Sequence, residues 1–171
     1  TNAGKLSNFS DEMYASSGAE IKNTVSETLD EAKIILKVGC PVCSSDTDEV
    51  ELFPEETILI ANLQAYSNPK VISKLAERKI SAFAMELMPR ITRAQSMDIL
   101  SSQSNLSGYK AVVEASSVFN GAMPMMMTAA GTIPPARVLV FGAGVAGLQA
   151  IATAKRLGAV VFATDVRYAA K

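Results

Sequence analysis

The chain has 171 residues, of which 49% are hydrophobic and 19% are charged, and its 16 basic residues are balanced by 17 acidic ones. This composition is typical of a folded α/β protein, and the lack of a basic excess argues against binding to a nucleic acid or to an anionic membrane surface. The chain contains no histidine, which excludes Ser–His and Cys–His dyads and a histidine general base within it.

The first half of the chain alternates short apolar runs with amphipathic stretches, which is the pattern of parallel βαβ units. It predicts strands at 34–38, 57–61 and 80–84 and helices at 24–32 and 68–78. The apolar side chains of these segments are expected to form a core between a sheet and its covering helices.

Two cysteines, Cys40 and Cys43, follow the first predicted strand. We interpret them as part of a strand-end loop in a protein of a reducing compartment, with a redox dithiol as the alternative. A single Cys-x-x-Cys pair without a second pair or a histidine does not complete an ordinary zinc site. No metal site is therefore predicted.

The second half begins with the longest helical pattern, predicted as helices at 93–108 and 109–119 that meet at a bend near Gly108. A passage rich in glycine and proline follows at 120–136, and we interpret it as a bridge between two domains. The methionines clustered at 123–127 are predicted to fill a core rather than to form a sulfur-rich site.

The last predicted elements are strands at 138–142 and 160–164, with a helix at 145–157 between them. The longest apolar stretch, 121–154, is interrupted by prolines, glycines and an arginine. It falls short of the roughly 20 continuous apolar residues that a membrane span requires, so no direct membrane insertion is predicted.

The strand at 138–142 runs directly into the segment Gly142-Ala143-Gly144-Val145-Ala146-Gly147, which opens the next helix. The order of strand, G-x-G-x-x-G motif and helix is the fingerprint of a dinucleotide-binding site. Gly142 permits a tight turn, Gly144 lets a pyrophosphate approach the backbone, and Gly147 lets the helix pack closely on the strand. Free N–H groups and the helix dipole then favour the negative charge of the pyrophosphate.

Asp165 ends the next predicted strand, 23 residues after Gly142, close to the spacing of about 20 for a ribose-binding acidic residue. Its carboxylate is predicted to accept hydrogen bonds from the adenosine ribose and to repel a 2′-phosphate, which selects NAD(H) over NADP(H). Arg167 lies nearby in sequence and could instead accommodate a 2′-phosphate. Only two strands of this domain are predicted, against about six in a complete Rossmann sheet, so the chain is expected to be part of a larger polypeptide.

The polar stretch 85–110 has few charges and many amide and hydroxyl groups. If it is one helix, Gln95, Asp98 and Ser101 are spaced by three residues and share a face. Such a face suits a carboxamide and a ribose, and simple capping and packing is the alternative.

Three segments, 85–110, 124–132 (PMMMTAAGT) and 144–154 (GVAGLQAIATA), carry a family resemblance. They resemble the NAD(H)-binding alpha subunits of the proton-translocating NAD(P) transhydrogenases, in the family that also includes alanine dehydrogenase. The resemblance covers the chain from about residue 34 onward and is densest after residue 85.

The resemblance implies an α/β fold of two domains. A flavodoxin-like or Rossmann-like parallel sheet domain is followed by the first half of a Rossmann NAD(P)-binding domain. The expected boundaries are 1–92 for the N-terminal domain, which lacks its first strand, 93–120 for inter-domain helices, and 121–171 for the incomplete Rossmann domain.

The resemblance also implies two groups of site residues. The catalytic group, expected to hold the nicotinamide end of the cofactor, comprises Arg90, Gln95, Asp98 and Ser101. The remaining cofactor-binding residues are expected to be Arg93, Gly142, Gly144, Val145, Ala146, Gly147, Asp165, Val166 and Arg167.

In this family, hydride passes directly from NADH to NADP⁺ held by a separate component, and the transfer is coupled to proton movement through a membrane-spanning component. The resemblance therefore implies NAD(H) bound here, NADP(H) on a partner, and a homodimer. It also implies a peripheral location at the cytoplasmic side of a bacterial inner membrane or the matrix side of a mitochondrial one. Direct hydride transfer needs alignment rather than an acid or base, which fits the absence of histidine.

Two alternatives stand beside this interpretation. Alanine dehydrogenase uses a lysine and a histidine on its keto acid, and the matching positions here hold Gly39 and Gln64, which disfavours that chemistry. The other alternative is an inactive fragment that only binds a nucleotide or packs against a partner.

Overall fold

A computed structural model of the chain describes residues 1–44 and 46–168. The chain divides into two compact units, Thr1–Pro89 and Arg90–Lys171. Each unit combines parallel strands with helices, so the predicted α/β class is confirmed. Among the described residues, no helix has the length and apolar character that a membrane crossing requires.

In the described part of the first unit, parallel strands form a sheet in the order β1 (Ile34–Lys37), β2 (Ile58–Ala61) and β3 (Ser81–Ala84). The register aligns Ile35 of β1 with Leu59 of β2. Each strand lies within one residue of its predicted bounds, because the apolar runs that predict the strands are also the segments that pair.

The α-helices among the described residues of this unit are α1 (Asp11–Ser16), α2 (Val25–Leu29) and α3 (Pro69–Glu77). The side chains of Ser10 and Thr24 cap α1 and α2, each accepting a hydrogen bond from a backbone N–H group of the first turn. The sequence predicts α3 to within one residue at each end. It does not predict α1, and α2 ends three residues before its predicted end.

The core of the first unit forms around β2, α3 and a short 3₁₀ helix, Val50–Leu52. Its large, fully buried side chains include Leu59, Leu63, Leu75 and Val50. Full burial of such a side chain stabilises the fold by about 1.5–3 kcal/mol, so these residues hold the sheet and α3 together.

In the second unit, the helix α4 (Ile99–Val118) follows a 3₁₀ helix, Thr92–Met97. The predicted division into two helices near Gly108 is wrong, because α4 continues through this residue as one helix. Gly108 is buried against α5 (Val145–Arg156), where a Cβ atom on it would lie 2.1 Å from the carbonyl oxygen of Ala146. The glycine therefore permits two helices to pack closely instead of ending one of them.

A short antiparallel hairpin, β4 (Met126–Thr128) and β5 (Gly131–Ile133), lies within the passage rich in glycine and proline. The prediction that its methionines fill a core is wrong, and the side chain of Met127 is 84% exposed. The physical reason is that, in the described part of the chain, no other element covers the hairpin, and all the residues of its two strands are exposed.

The βαβ segment predicted near the end of the chain is confirmed. Strands β6 (Arg137–Phe141) and β7 (Val160–Thr164) pair in parallel, with Val138 aligned with Val161, and α5 connects them. All three elements lie within one residue of their predicted bounds. The glycine motif consequently occupies the junction between a strand and a helix.

Candidate dinucleotide-binding site

The loop from β6 to α5 is shaped by its glycines. Gly142 has a φ of +96°, and its N–H donates to the carbonyl oxygen of Thr164 at 2.7 Å, which ties the loop to the end of β7. A Cβ atom on Gly147 would lie 1.8 Å from the carbonyl oxygen of Gly142. Any larger residue at position 147 would therefore push α5 away from the loop.

The first turn of α5 presents backbone N–H groups at the end of this loop. The N-cap residue, Gly144, has no side chain that could accept a hydrogen bond from them. The first N–H groups of a helix have no partner within the helix, and together with the helix dipole they favour an anion. This end of α5 is thus suited to a phosphate group.

Asp165 and Arg167 enclose the backbone of Ala143, the residue between the first two glycines of the motif. The Asp165 Oδ2 atom accepts from the Ala143 N–H at 2.6 Å, and the Arg167 Nη2 atom donates to the Ala143 carbonyl oxygen at 3.2 Å. The Arg167 Nε atom also donates to Asp165 Oδ1 at 3.0 Å. These bonds fix the glycine loop to the residues that follow β7.

The Asp165 side chain is only 6% exposed, whereas that of Arg167 is 61% exposed. The hydrogen bond from the Arg167 guanidinium lowers the pKa of Asp165 far below its usual range, and the N–H of Ala143 lowers it further. The carboxylate is therefore charged at neutral pH. In this structure its oxygens accept from groups of the same chain.

A cavity of about 810 Å³ lies within the second unit. It brings together the four residues expected to hold the nicotinamide end of the cofactor, and Val145 of the glycine motif also lines it. The lining residues are Arg90, Ile91, Thr92, Gln95, Asp98, Ser101, Ser102, Asn105, Leu106 and Val145. The other expected cofactor-binding residues are not among the residues that line this cavity: Arg93, Gly142, Gly144, Ala146, Gly147, Asp165, Val166 and Arg167.

The expectation that Gln95, Asp98 and Ser101 lie on one helix is wrong. Gln95 belongs to the 3₁₀ helix Thr92–Met97, and Asp98 is the N-cap of α4 with non-helical backbone angles (φ −78°, ψ 87°). An aspartate is a strong N-cap because its carboxylate accepts from the free N–H groups of the first turn. The three side chains line the same cavity from the 3₁₀ helix, from the junction at Asp98 and from the first turns of α4.

Asp98 and Ser101 form a closely bonded pair at the start of α4. The Ser101 N–H donates to Asp98 Oδ1 at 2.9 Å, and the Ser101 hydroxyl donates to Asp98 Oδ2 at 2.6 Å. The hydroxyl lowers the pKa of Asp98, and the backbone N–H of Ser101 and the charge of Arg90 lower it further. Asp98 therefore caps α4, as one of the two alternatives expected, and it also lines the cavity; its role in holding a carboxamide or a ribose stays a prediction.

Sequence reasoning missed Ser102 and Asn105, which line the same cavity. Both residues follow Ser101 on α4, and the helical repeat could have indicated them. Asn105 follows Ser101 by four residues, the spacing at which side chains share a face of a helix.

The two cysteines lie outside this site. Cys40 and Cys43 are free and partly buried, and the thiol of Cys43 donates to Asp48 Oδ1 at 3.3 Å. Burial raises the pKa of both thiols, so neither is activated as a thiolate at neutral pH. This favours the structural interpretation of the loop over a redox dithiol.

The strand, glycine loop, helix and strand of the second unit define a nucleotide-binding α/β protein. Family models described as the N-terminal and C-terminal domains of alanine dehydrogenase/PNT match residues 1–107 and 111–171. The chain therefore belongs to the alanine dehydrogenase/PNT family, as its resemblance implied.

Comparison with individual proteins shows which members of this family the chain is similar to. The chain is 58% identical to an NAD(P) transhydrogenase subunit alpha of Rhodospirillum rubrum over 99% of its own length and 44% of that relative. It is 49% identical to the protein of the same name from Rickettsia prowazekii, with 98% and 44% of the two chains covered. The crystal structure of transhydrogenase from Sinorhizobium meliloti matches with a TM-score of 0.90 and 52% identity over 99% of this chain and 49% of that one.

These matches confirm the predicted fold class and the resemblance to the transhydrogenase alpha subunits. The chain spans about 44% of the length of the two relatives. The alanine dehydrogenase alternative is not favoured, since the two transhydrogenase subunits match this chain at 58% and 49% identity.

Proposed function

We propose that this chain is the NAD(H)-binding component of a proton-translocating NAD(P) transhydrogenase. The observation that supports this most is the shared cavity of the second unit. Arg90, Gln95, Asp98 and Ser101 line it together with Val145, the first residue of α5. One dinucleotide can therefore contact both groups at once, with its nicotinamide half in the cavity and its pyrophosphate at the start of α5.

The adenosine half is assigned to the end of β7. Asp165 is a carboxylate there, and a carboxylate at this position favours ribose hydroxyls and disfavours a 2′-phosphate. Arg167, which could have accepted that phosphate, donates to Asp165 and to the carbonyl oxygen of Ala143. This ion pair offsets both charges, so selection of NAD(H) over NADP(H) is proposed from the position of Asp165 at the end of the strand that follows the glycine motif. Val166, between them, is fully exposed and is assigned to the same end of the cofactor.

The nicotinamide half is assigned to the polar wall of the cavity. NADH, when bound, supplies the hydride, and the side chains around it hold the ring in position. The Gln95 amide can both donate and accept hydrogen bonds, which suits the carboxamide of the ring. The Asp98–Ser101 pair is held rigid by its own two hydrogen bonds, so little ordering is left to be done when the cofactor binds.

Hydride transfer in this proposal is direct, from NADH on this chain to NADP⁺ on a separate component. Such a step requires two aligned rings rather than an acid or a base. Coupling to proton movement, a membrane-spanning partner, a homodimer, and a peripheral location at the cytoplasmic or matrix face belong to the same proposal. They are supported by the similarity to proteins named as alpha subunits, a name that indicates a multi-component protein.

Isotope transfer tests the proposal. The chain is mixed with an NADP(H)-binding transhydrogenase component, NADP⁺ and NADH deuterated at C4, and the NADPH formed is examined by mass spectrometry. We expect deuterium in the NADPH, because a directly transferred hydride does not exchange with water. Absence of transfer together with no change in NADH fluorescence would instead favour the inactive fragment.

A further inference from the structure

Asn105 stands on the cavity side of α4, one helical turn beyond Ser101. Asn105 follows Ser101 by four residues, so these two side chains lie along one face of α4, and Asp98 is the N-cap of the same helix. The side chain of Asn105 lines the same cavity as Asp98, Ser101 and Val145. Asn105 is not among the site residues that the resemblance to the alpha subunits implies.

The packing of α4 on α5 sets where Asn105 lies along a bound cofactor. Three residues farther along α4, Gly108 lies against Ala146, close enough that a Cβ atom would be 2.1 Å from its carbonyl oxygen. That end of the face therefore adjoins the first turn of α5, where the pyrophosphate is assigned. At the other end are Asp98 and Ser101, and the helix rises about 10 Å from Ser101 to Gly108.

Asn105 therefore lies between the group assigned to the nicotinamide ring and the group assigned to the pyrophosphate. The part of the dinucleotide that connects those two groups is the nicotinamide-side ribose. A ribose diol both donates and accepts hydrogen bonds, and an asparagine amide can do the same.

The amide of Asn105 is also available. Asp98 and Ser101 use their polar atoms on each other, whereas no side-chain hydrogen bond of Asn105 is found within the described part of the chain. We propose that Asn105 binds the hydroxyl groups of the nicotinamide-side ribose. This inference rests on the proposed function, because it assumes that a nicotinamide dinucleotide occupies the cavity.

Three nucleotides of increasing length test the assignment on the full chain: ADP, which lacks this ribose, ADP-ribose, which has it, and NADH. Affinities are measured by isothermal titration calorimetry. We expect Asn105→Ala to weaken ADP-ribose and NADH by about tenfold, as for one lost hydrogen bond, and to change ADP by less than about twofold. The matched control is Gln103→Ala, an exposed amide of α4 that is not among the cavity-lining residues, and it should change none of the three.

A second variant, Asn105→Asp, distinguishes ribose from phosphate. An aspartate still accepts hydrogen bonds from ribose hydroxyls but repels a pyrophosphate, so the ribose assignment predicts that ADP-ribose binding is largely retained. Weaker binding of all three nucleotides to both variants would overturn the assignment in favour of a pyrophosphate contact. If Asn105→Ala bound all three nucleotides as tightly as the unchanged chain does, Asn105 would make no contact with the cofactor, and the proposal would be overturned. If the unchanged chain bound none of the nucleotides, the proposed function would fail together with this inference.

Discussion

Replacement of Gly108 by alanine should weaken the second unit, although an alanine normally stabilises a helix. The added Cβ atom would stand 2.1 Å from the Ala146 carbonyl oxygen, and an ordinary contact begins at 3.4 Å. Helix α4 must then move away from α5 by about 1 Å, and overpacking of this kind costs about 1–3 kcal/mol. Alanine recovers about 1 kcal/mol of helix propensity. Because the obstacle is backbone, we take the upper part of the range and expect a net loss of about 2 kcal/mol.

Urea unfolding of the full chain measures this loss as a lower midpoint at constant slope. The matched control is Ser107→Ala, the exposed neighbour on α4, which should leave the midpoint unchanged or slightly raise it. NADH affinity of Gly108→Ala should fall as well, because Asn105 and Val145 line one cavity from the two separated helices. A stabilisation of about 1 kcal/mol, the usual result of Gly→Ala in an unobstructed helix, would refute the close approach.

Three further predictions concern the two ends of the cofactor. Asp165→Ala should weaken NADH binding and relax discrimination against NADPH in fluorescence titrations, and unchanged selectivity would count against its role. Gln95→Ala should lower hydride transfer in the deuterium assay far more than it lowers ADP affinity; equal losses would show a structural role. Because Arg167 and Ala143 lower the pKa of folded Asp165, its contribution to stability is complete above the unfolded pKa of about 4 and is lost as the pH falls. The free energy of unfolding, measured with urea, should therefore fall less between pH 6 and pH 3 in Asp165→Asn than in the unchanged chain. Equal falls in the two proteins would show that the ion pair does not contribute to stability.

The elements that the sequence predicts well are those determined by local pattern. β7 forms at 160–164 as predicted, and α5 begins at Val145, within the glycine motif. An apolar run of strand length, a turn that needs glycine, and an alanine-rich helix all specify the same local structure. The boundaries of the three expected domains remain a prediction.

The errors arise where distant contacts decide the structure. A glycine in a helical pattern is read as a break, and only the position of α5 reveals that Gly108 serves close packing. Asp98 fits equally well within a helix or at its start, and its hydrogen bonds with Ser101 decide for the start. The exposure of Met127 likewise depends on which layers surround the hairpin, and the composition of the segment does not contain that information.

The site shows the same division. The glycine motif and Asp165 are recognisable from their spacing, and Arg90 and Gln95 from the family resemblance. The bonds that join Asp165 and Arg167 to Ala143 connect residues more than 20 positions apart, so no local pattern predicts them. Asn105 belongs to no motif, and only the three-dimensional arrangement of α4 and α5 brings it to the cavity.

A crystal structure of the full chain with NADH would test the central claim most directly. We expect the pyrophosphate at the first N–H groups of α5, the adenosine ribose at Asp165, and the nicotinamide ring in the cavity beside Gln95. A dinucleotide whose pyrophosphate lay away from α5, or whose nicotinamide ring lay outside this cavity, would contradict it.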